Sequence, residues 1–152
     1  MNKHLRGLEK TPMQDGKPLV WYTNPEKFKV NQIHVPAAVQ SAAIALRERW
    51  TGPGDKPTKA DIYIHLARVG YLDFIDALNG NPGIALAVAP MDFTVPTGTV
   101  MTPYIPVDLH DSISEVLEVI NEDRKSKDLP VIQKGLEALY CAFMRRGAKL
   151  IV

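Results

Sequence analysis

The stretch from residue 28 to residue 70 reads FKVNQIHV (28–35), Pro36, AAVQSAAIALRERW (37–50), TGPGDKPT (51–58) and KADIYIHLARVG (59–70), and it decides the fold. FKVNQIHV alternates as a strand does, with successive side chains leaving opposite faces. Phe28 and Val30 share one face and Ile33 and Val35 the other, so the apolar phase slips by one residue at Asn31–Gln32. A bulge there, or a strand that only begins at Asn31, restores a single apolar face. With Ile33 and Val35 inward, Gln32 and His34 point out. Pro36 sits where a helix tolerates proline best, at its first position, because its missing N–H would have had no partner within the helix. Val39, Ala42, Ala43, Leu46 and Trp50 then follow at the three-and-four spacing of a helix with one buried face.

GPGDKP ends that helix with residues that turns demand. Thr58 is placed to cap a second helix with Asp61 three residues later in a capping box. The second helix buries Ile62, Leu66 and Val69, continues past Gly70 through YLDFIDAL, and closes at Asn79-Gly80. The order is strand, helix, turn, helix. It needs a partner to bury it.

That partner is expected within the same chain. From Thr99, TVMTPYIPVD is extended, and LHDSISEVLEVINEDR is helix-periodic with Leu109, Ile113, Val116, Leu117 and Ile120 on one side. A polar turn and a second helix over LPVIQKGLEALYCAFMRRG follow. Asp108 or Asp111 can cap the first of these helices and Asp128 the second, with Pro130 at its start. Four divisions result: an N-terminal arm (1–26), a first unit (27–80), an extended connector (81–98) and a second unit (99–152). The arm shows no sustained period, which suggests a mobile or loosely docked segment anchored by Trp21 and Tyr22.

At 152 residues and a formal net charge of +1, the chain is long enough for one ordinary domain, and composition gives no simple argument for a polyanionic partner. The charge divides unevenly, with eleven Lys/Arg against eight Asp/Glu over 1–80 and seven against nine over 81–152. No run reaches the roughly 18 apolar residues of a membrane span, and the first residues lack the apolar core of a secretory signal, so a cytoplasmic location is expected. The single cysteine, Cys141 in LYCAFM, suits burial as a small hydrophobe.

Catalytic patterns are not evident, and neither an enzyme nor a cofactor is expected. His4, His34, His65 and His110 are isolated, and Asp61 and His65, four apart on a helix, lack a third ligand for a metal. Gly-rich phosphate loops, nucleophile elbows and cysteine pairs are missing from the sequence.

IHVPAAV followed by TKADIYIHLARVG resembles the ribbon-helix-helix proteins of the Arc and MetJ type, over residues 28–72 and more faintly over 99–147. The resemblance implies a mainly α fold with a short antiparallel β-ribbon over a four-helix core. Both copies lie in one chain, as in the tandem members among conjugative-plasmid relaxosome proteins. It implies sequence-specific binding of double-stranded DNA through the ribbon in the major groove, which admits two strands. The protein would then be a repressor or a site-marking accessory factor. Base contacts fall on Gln32 and His34, with Lys29 and Asn31 before them, and on Thr102 and Tyr104 in the second copy. Phosphate contacts fall on Lys27 and on Thr58 and Lys59 at a helix N-terminus. Pro103 and Pro106 each remove a strand N–H, so gaps in the ladder and a non-palindromic site are expected. The other reading is a protein-interaction module, antitoxin-like or inhibitory, built on the same scaffold, with self-association or a protein partner.

Overall fold

Apolar residues recurring at helical spacing produce, among the described residues, four helices whose buried faces close on one another beneath paired antiparallel strands. The computed structural model describes residues 13–18, 21, 27–29, 33–80, 95–97, 100–101, 104–132 and 134–151, with the backbone alone at 27–29, 79 and 104. Along the chain come β1 (Met13–Gln14), β2 (Lys17–Pro18), β3 (Lys27–Lys29), β4 (Ile33–His34), α1 (Ala37–Trp50), α2 (Lys59–Gly80), β5 (Val100–Met101), β6 (Tyr104–Pro106), α3 (Val107–Ser126) and α4 (Gly135–Ile151). Among the described residues no helix is long and apolar enough to cross a membrane.

β3 pairs with β6 antiparallel, with Phe28 opposite Ile105, and β4 pairs with β5 antiparallel, with Ile33 opposite Met101. The segments around residues 27–34 and 100–106 therefore run side by side in opposite directions. Between the two ladders the first segment has three residues (30–32) and the second has two (102 and 103). The register accordingly shifts by one between the two ladders, and the bulge expected at Asn31–Gln32 lies outside the described residues. Ile33, Val35 and Ile105 are buried beneath the ribbon, while Val100, opposite His34, is exposed.

α1 buries Val39, Ala42, Ala43, Leu46 and Trp50, the five residues its spacing selects. Pro36 stands one place earlier than expected, at the N-cap, its carbonyl accepting from the Gln40 N–H. At the start of α2, the Thr58 hydroxyl accepts from the Asp61 N–H at 3.1 Å and the Asp61 carboxylate accepts from the Thr58 N–H at 2.9 Å, a complete capping box. The buried face of α2 differs from the expectation at Val69, which is only half-buried; the face turns instead through Tyr71, Phe74, Ile75 and Leu78.

The second half departs further. α3 begins at Val107 with Pro106 as its N-cap, rather than at Asp108 or Asp111, and runs on to Ser126. Asp128 adopts φ 54° in the turn that follows, and α4 starts at Gly135 rather than near Pro130. The connector is held to α3 instead: Arg124 Nε donates to the Pro130 carbonyl at 2.7 Å, and the Asn121 side-chain oxygen accepts from the Ile132 N–H at 3.1 Å. α4 continues through the final GAKLI as helix.

The two halves bury residues at matching intervals. Leu109, Ser112, Ile113, Val116 and Ile120 on α3 each lie 70 residues after Val39, Ala42, Ala43, Leu46 and Trp50 on α1. Leu139, Tyr140, Phe143, Met144 and Gly147 on α4 each lie 77 residues after Ile62, Tyr63, Leu66, Ala67 and Gly70 on α2. α2 and α4 cross where those two glycines meet. A Cβ on Gly70 would overlap the Phe143 carbonyl oxygen, and one on Gly147 would overlap that of Leu66. Only glycine allows two helix backbones this close. Tyr71, Phe74 and Phe143 pack at the same crossing, with ring centroids 5.5 and 5.6 Å apart.

The described part of the N-terminal arm is not loose. Asp15 and Gly16, with φ of 54° and 81°, form the two-residue turn of the β1–β2 hairpin, whose positive φ values suit the twist of the strands. The hairpin sits over the helix ends, with Gly16 against Ile151. Lys17 pairs with Asp55, and Trp21 Nε1 donates to the same carboxylate at 2.8 Å. These bonds from Lys17, then Trp21, hold the Asp55 carboxyl below the usual range. The 81–98 connector lies outside the described residues apart from 95–97.

Candidate nucleic-acid interface

A two-stranded ribbon needs three things to read a groove: an outer face, side chains fixed on it, and anchoring for the flanking backbone. Of the base-contact candidates, Asn31, Gln32 and Thr102 lie outside the described residues. Lys29 and Tyr104 occupy opposite places in the β3–β6 ladder, and Lys27 stands opposite Pro106 at its end. Three of the candidate positions are thus brought onto one short ladder.

His34 is the base-contact candidate whose side chain is described, and it is fixed by α4. Glu137 Oε2 accepts the His34 backbone N–H at 2.6 Å and lies 2.8 Å from the ring Nδ1. Cys141, buried as its apolar surroundings require, donates its S–H to the His34 carbonyl at 3.1 Å. The imidazole is a quarter exposed and the Glu137 side chain less so. The ring is therefore a rigid feature of the ribbon, with one edge committed to the helix below.

Thr58 and Lys59 are exposed at the start of α2. The Thr58 hydroxyl and the Asp61 carboxylate already cap that terminus, so Lys59 supplies the positive charge available to an anion there. The start of α4 carries Lys134, exposed with φ 51°, its carbonyl accepting from the Ala138 N–H. Sequence reasoning missed Lys134 because it began this helix at Pro130. The 77-residue interval that relates Gly70 to Gly147 sets Thr58 against Gly135 and Lys59 against Leu136, so Lys134 falls one place before the capping position.

His4 lies outside the described residues, and His65 and His110 contact other side chains. His65 is buried, its Nε2 2.8 Å from the Gly16 carbonyl, with Trp21 and Trp50 edge-on at 6.1 and 5.9 Å between centroids. Burial above all, and Arg68 nearby, push its pKa down. Asp61, four residues earlier, faces its own helix end; among the described residues no group of three His, Cys, Asp or Glu could hold a metal ion. His110 Nδ1 lies 3.1 Å from the Tyr140 hydroxyl, and burial first, then Asp111, raises the pKa of Tyr140 far above the ordinary tyrosine value. Near the hairpin, Gln14, Asp15, Lys17, Pro18, Arg49 and Trp50 line an open cleft of about 350 Å³.

Comparison with family models, curated proteins and solved structures gives no match to this chain.

Proposed function

We propose that the chain is a single-chain ribbon-helix-helix protein that binds duplex DNA by laying its ribbon in the major groove, without catalysis, as a repressor or a factor that marks a site. One observation carries this reading: Lys27–Lys29 pairs antiparallel with Tyr104–Pro106, and Ile33–His34 with Val100–Met101, over the four described helices. Two chains of the resembled family build that arrangement together, and here one chain supplies both strands. The recurrence of buried positions at 70 and 77 residues supports a duplicated strand–helix–helix unit. So does the reciprocal glycine contact, in which Gly70 meets Phe143 and Gly147 meets Leu66, each four residues before the opposite glycine. A lone hairpin or helix pair buries too little to persist in water, whereas the ribbon over four described helices closes a core.

A protein-interaction role is the second reading. It is favoured by Leu129 and Val131, exposed on either side of Pro130 in the α3–α4 connector. The two separate in one experiment, a titration of random-sequence duplex at two salt concentrations with wild type and Gln32→Ala/Thr102→Ala. Counterion release makes DNA affinity fall steeply as salt rises. The expected result is salt-dependent binding by wild type, with sequence preference lost in the variant. Wild type that leaves duplex unbound at low salt removes the DNA reading.

A further inference from the structure

We infer that Glu137 is a positioning residue that fixes the tautomer of His34, so that His34 Nε2 is presented from the ribbon as a hydrogen-bond acceptor. The use of that acceptor rests on the DNA-binding reading; the positioning does not. An ionised carboxylate has no hydrogen to give. The 2.8 Å contact between Glu137 Oε2 and His34 Nδ1 is a hydrogen bond only if Nδ1 carries the proton, and in a neutral imidazole Nε2 then carries a lone pair. The same oxygen accepts the His34 backbone N–H at 2.6 Å and Cys141 donates to the His34 carbonyl, so ring and backbone are held at three points by one helix face. Glu137 and Cys141 are four apart on α4, the spacing that places both on one side. Because the two ring nitrogens diverge, a ring held at Nδ1 aims Nε2 away from the helix.

The arrangement belongs to one half of the molecule. Seventy-seven residues before Glu137, the corresponding place on α2 is Ala60, which has no group to offer a strand. In the major groove an acceptor pairs with an exocyclic amino group, adenine N6 or cytosine N4, and is repelled by the N7 and O6 acceptors of guanine. The ribbon would therefore fix the orientation of one off-centre base pair, with its A or C on the strand that His34 faces, without a mirror-related preference.

The test is ring-nitrogen NMR on the labelled full chain at pH 8, comparing wild type, Glu137→Gln and Glu137→Ala. Wild type and Glu137→Gln, whose amide oxygen can accept the same two bonds, should show His34 protonated at Nδ1 only. Glu137→Ala should shift the ring toward the Nε2–H form. A wild-type ring protonated at Nε2, or at both nitrogens, overturns the inference, and wild type and Glu137→Gln decide the matter even where the alanine variant fails to fold. Selection from a random duplex pool with the same proteins reads the consequence. Wild type and Glu137→Gln should recover A or C at one position, and Glu137→Ala should lose that preference at least tenfold while keeping the rest of the site. If wild type recovers no base pair at which A and C are accepted on one strand and G and T rejected there, the acceptor assignment is overturned. Absence of duplex binding by every protein, with the Nδ1–H ring observed, supports the positioning and contradicts the DNA reading alone.

Discussion

Protonating His65 would place a charge between two indole rings, beside Arg68 and beneath the Gly16 carbonyl. Its folded pKa lies below the ordinary value, so as pH falls below about 6.5 the unfolded chain takes up a proton that the folded chain refuses. Stability is unaffected by this group above that pH. It should decline below it, with a slope of at most about 1.4 kcal/mol per pH unit. Urea denaturation at pH 5, 6, 7 and 8 measures the decline, and His65→Gln should flatten it. Gly70 tests the core in another way. Alanine there gains about 1 kcal/mol of helix propensity but drives a methyl into the Phe143 carbonyl, and overpacking should win with a net loss of about 3 kcal/mol. Gly80→Ala, at the end of the same helix with open space around it, should change stability by less than about 1 kcal/mol in the same denaturation series.

The helices show which parts of the sequence were legible. α1 was readable because its five apolar residues follow one period without interruption, and α2 because Thr58 and Asp61 form the box their spacing allows. Thr58→Ala removes one acceptor of that box and should cost about 1 kcal/mol in thermal or urea unfolding. α4 was misread at its start because Leu129, Val131 and Ile132 look like the first apolar turn of a helix that Pro130 would begin. In the fold Leu129 and Val131 are exposed, and the polar side chains of Arg124 and Asn121 hold that segment. The β1–β2 hairpin carried a readable signal, the Asp15-Gly16 dipeptide, but its strands have only two residues each and no apolar alternation. Its attachment depends on Asp55 and His65, distant in sequence. Trp21 fastens it, and Trp21→Ala, which empties the space beside Trp50 and His65, should cost about 2 kcal/mol by the same measurements and raise protease cleavage between residues 13 and 21.

For the whole molecule, the sequence signal is the one-residue slip in the apolar phase of FKVNQIHV at Asn31–Gln32, which lies outside the described residues; the ladders on either side of it differ by one in register. The candidate site was legible only as positions on a strand. The sequence could place His34 on the outward phase, but its carboxylate partner lies 103 residues further on, where no local pattern links them. Lys134 was hidden by the misplaced start of α4. Net charge of +1 likewise gives no footprint for a phosphate backbone, so the DNA reading depends on ribbon geometry. The most direct measurement is interference by 7-deazapurine substitution on duplexes recovered by selection, which removes N7 acceptors from the major groove and leaves the minor groove intact. The account predicts weakened binding from substitutions within one short, non-palindromic run of base pairs. Binding that tolerates every such substitution, or a selection that recovers no duplex, would contradict it.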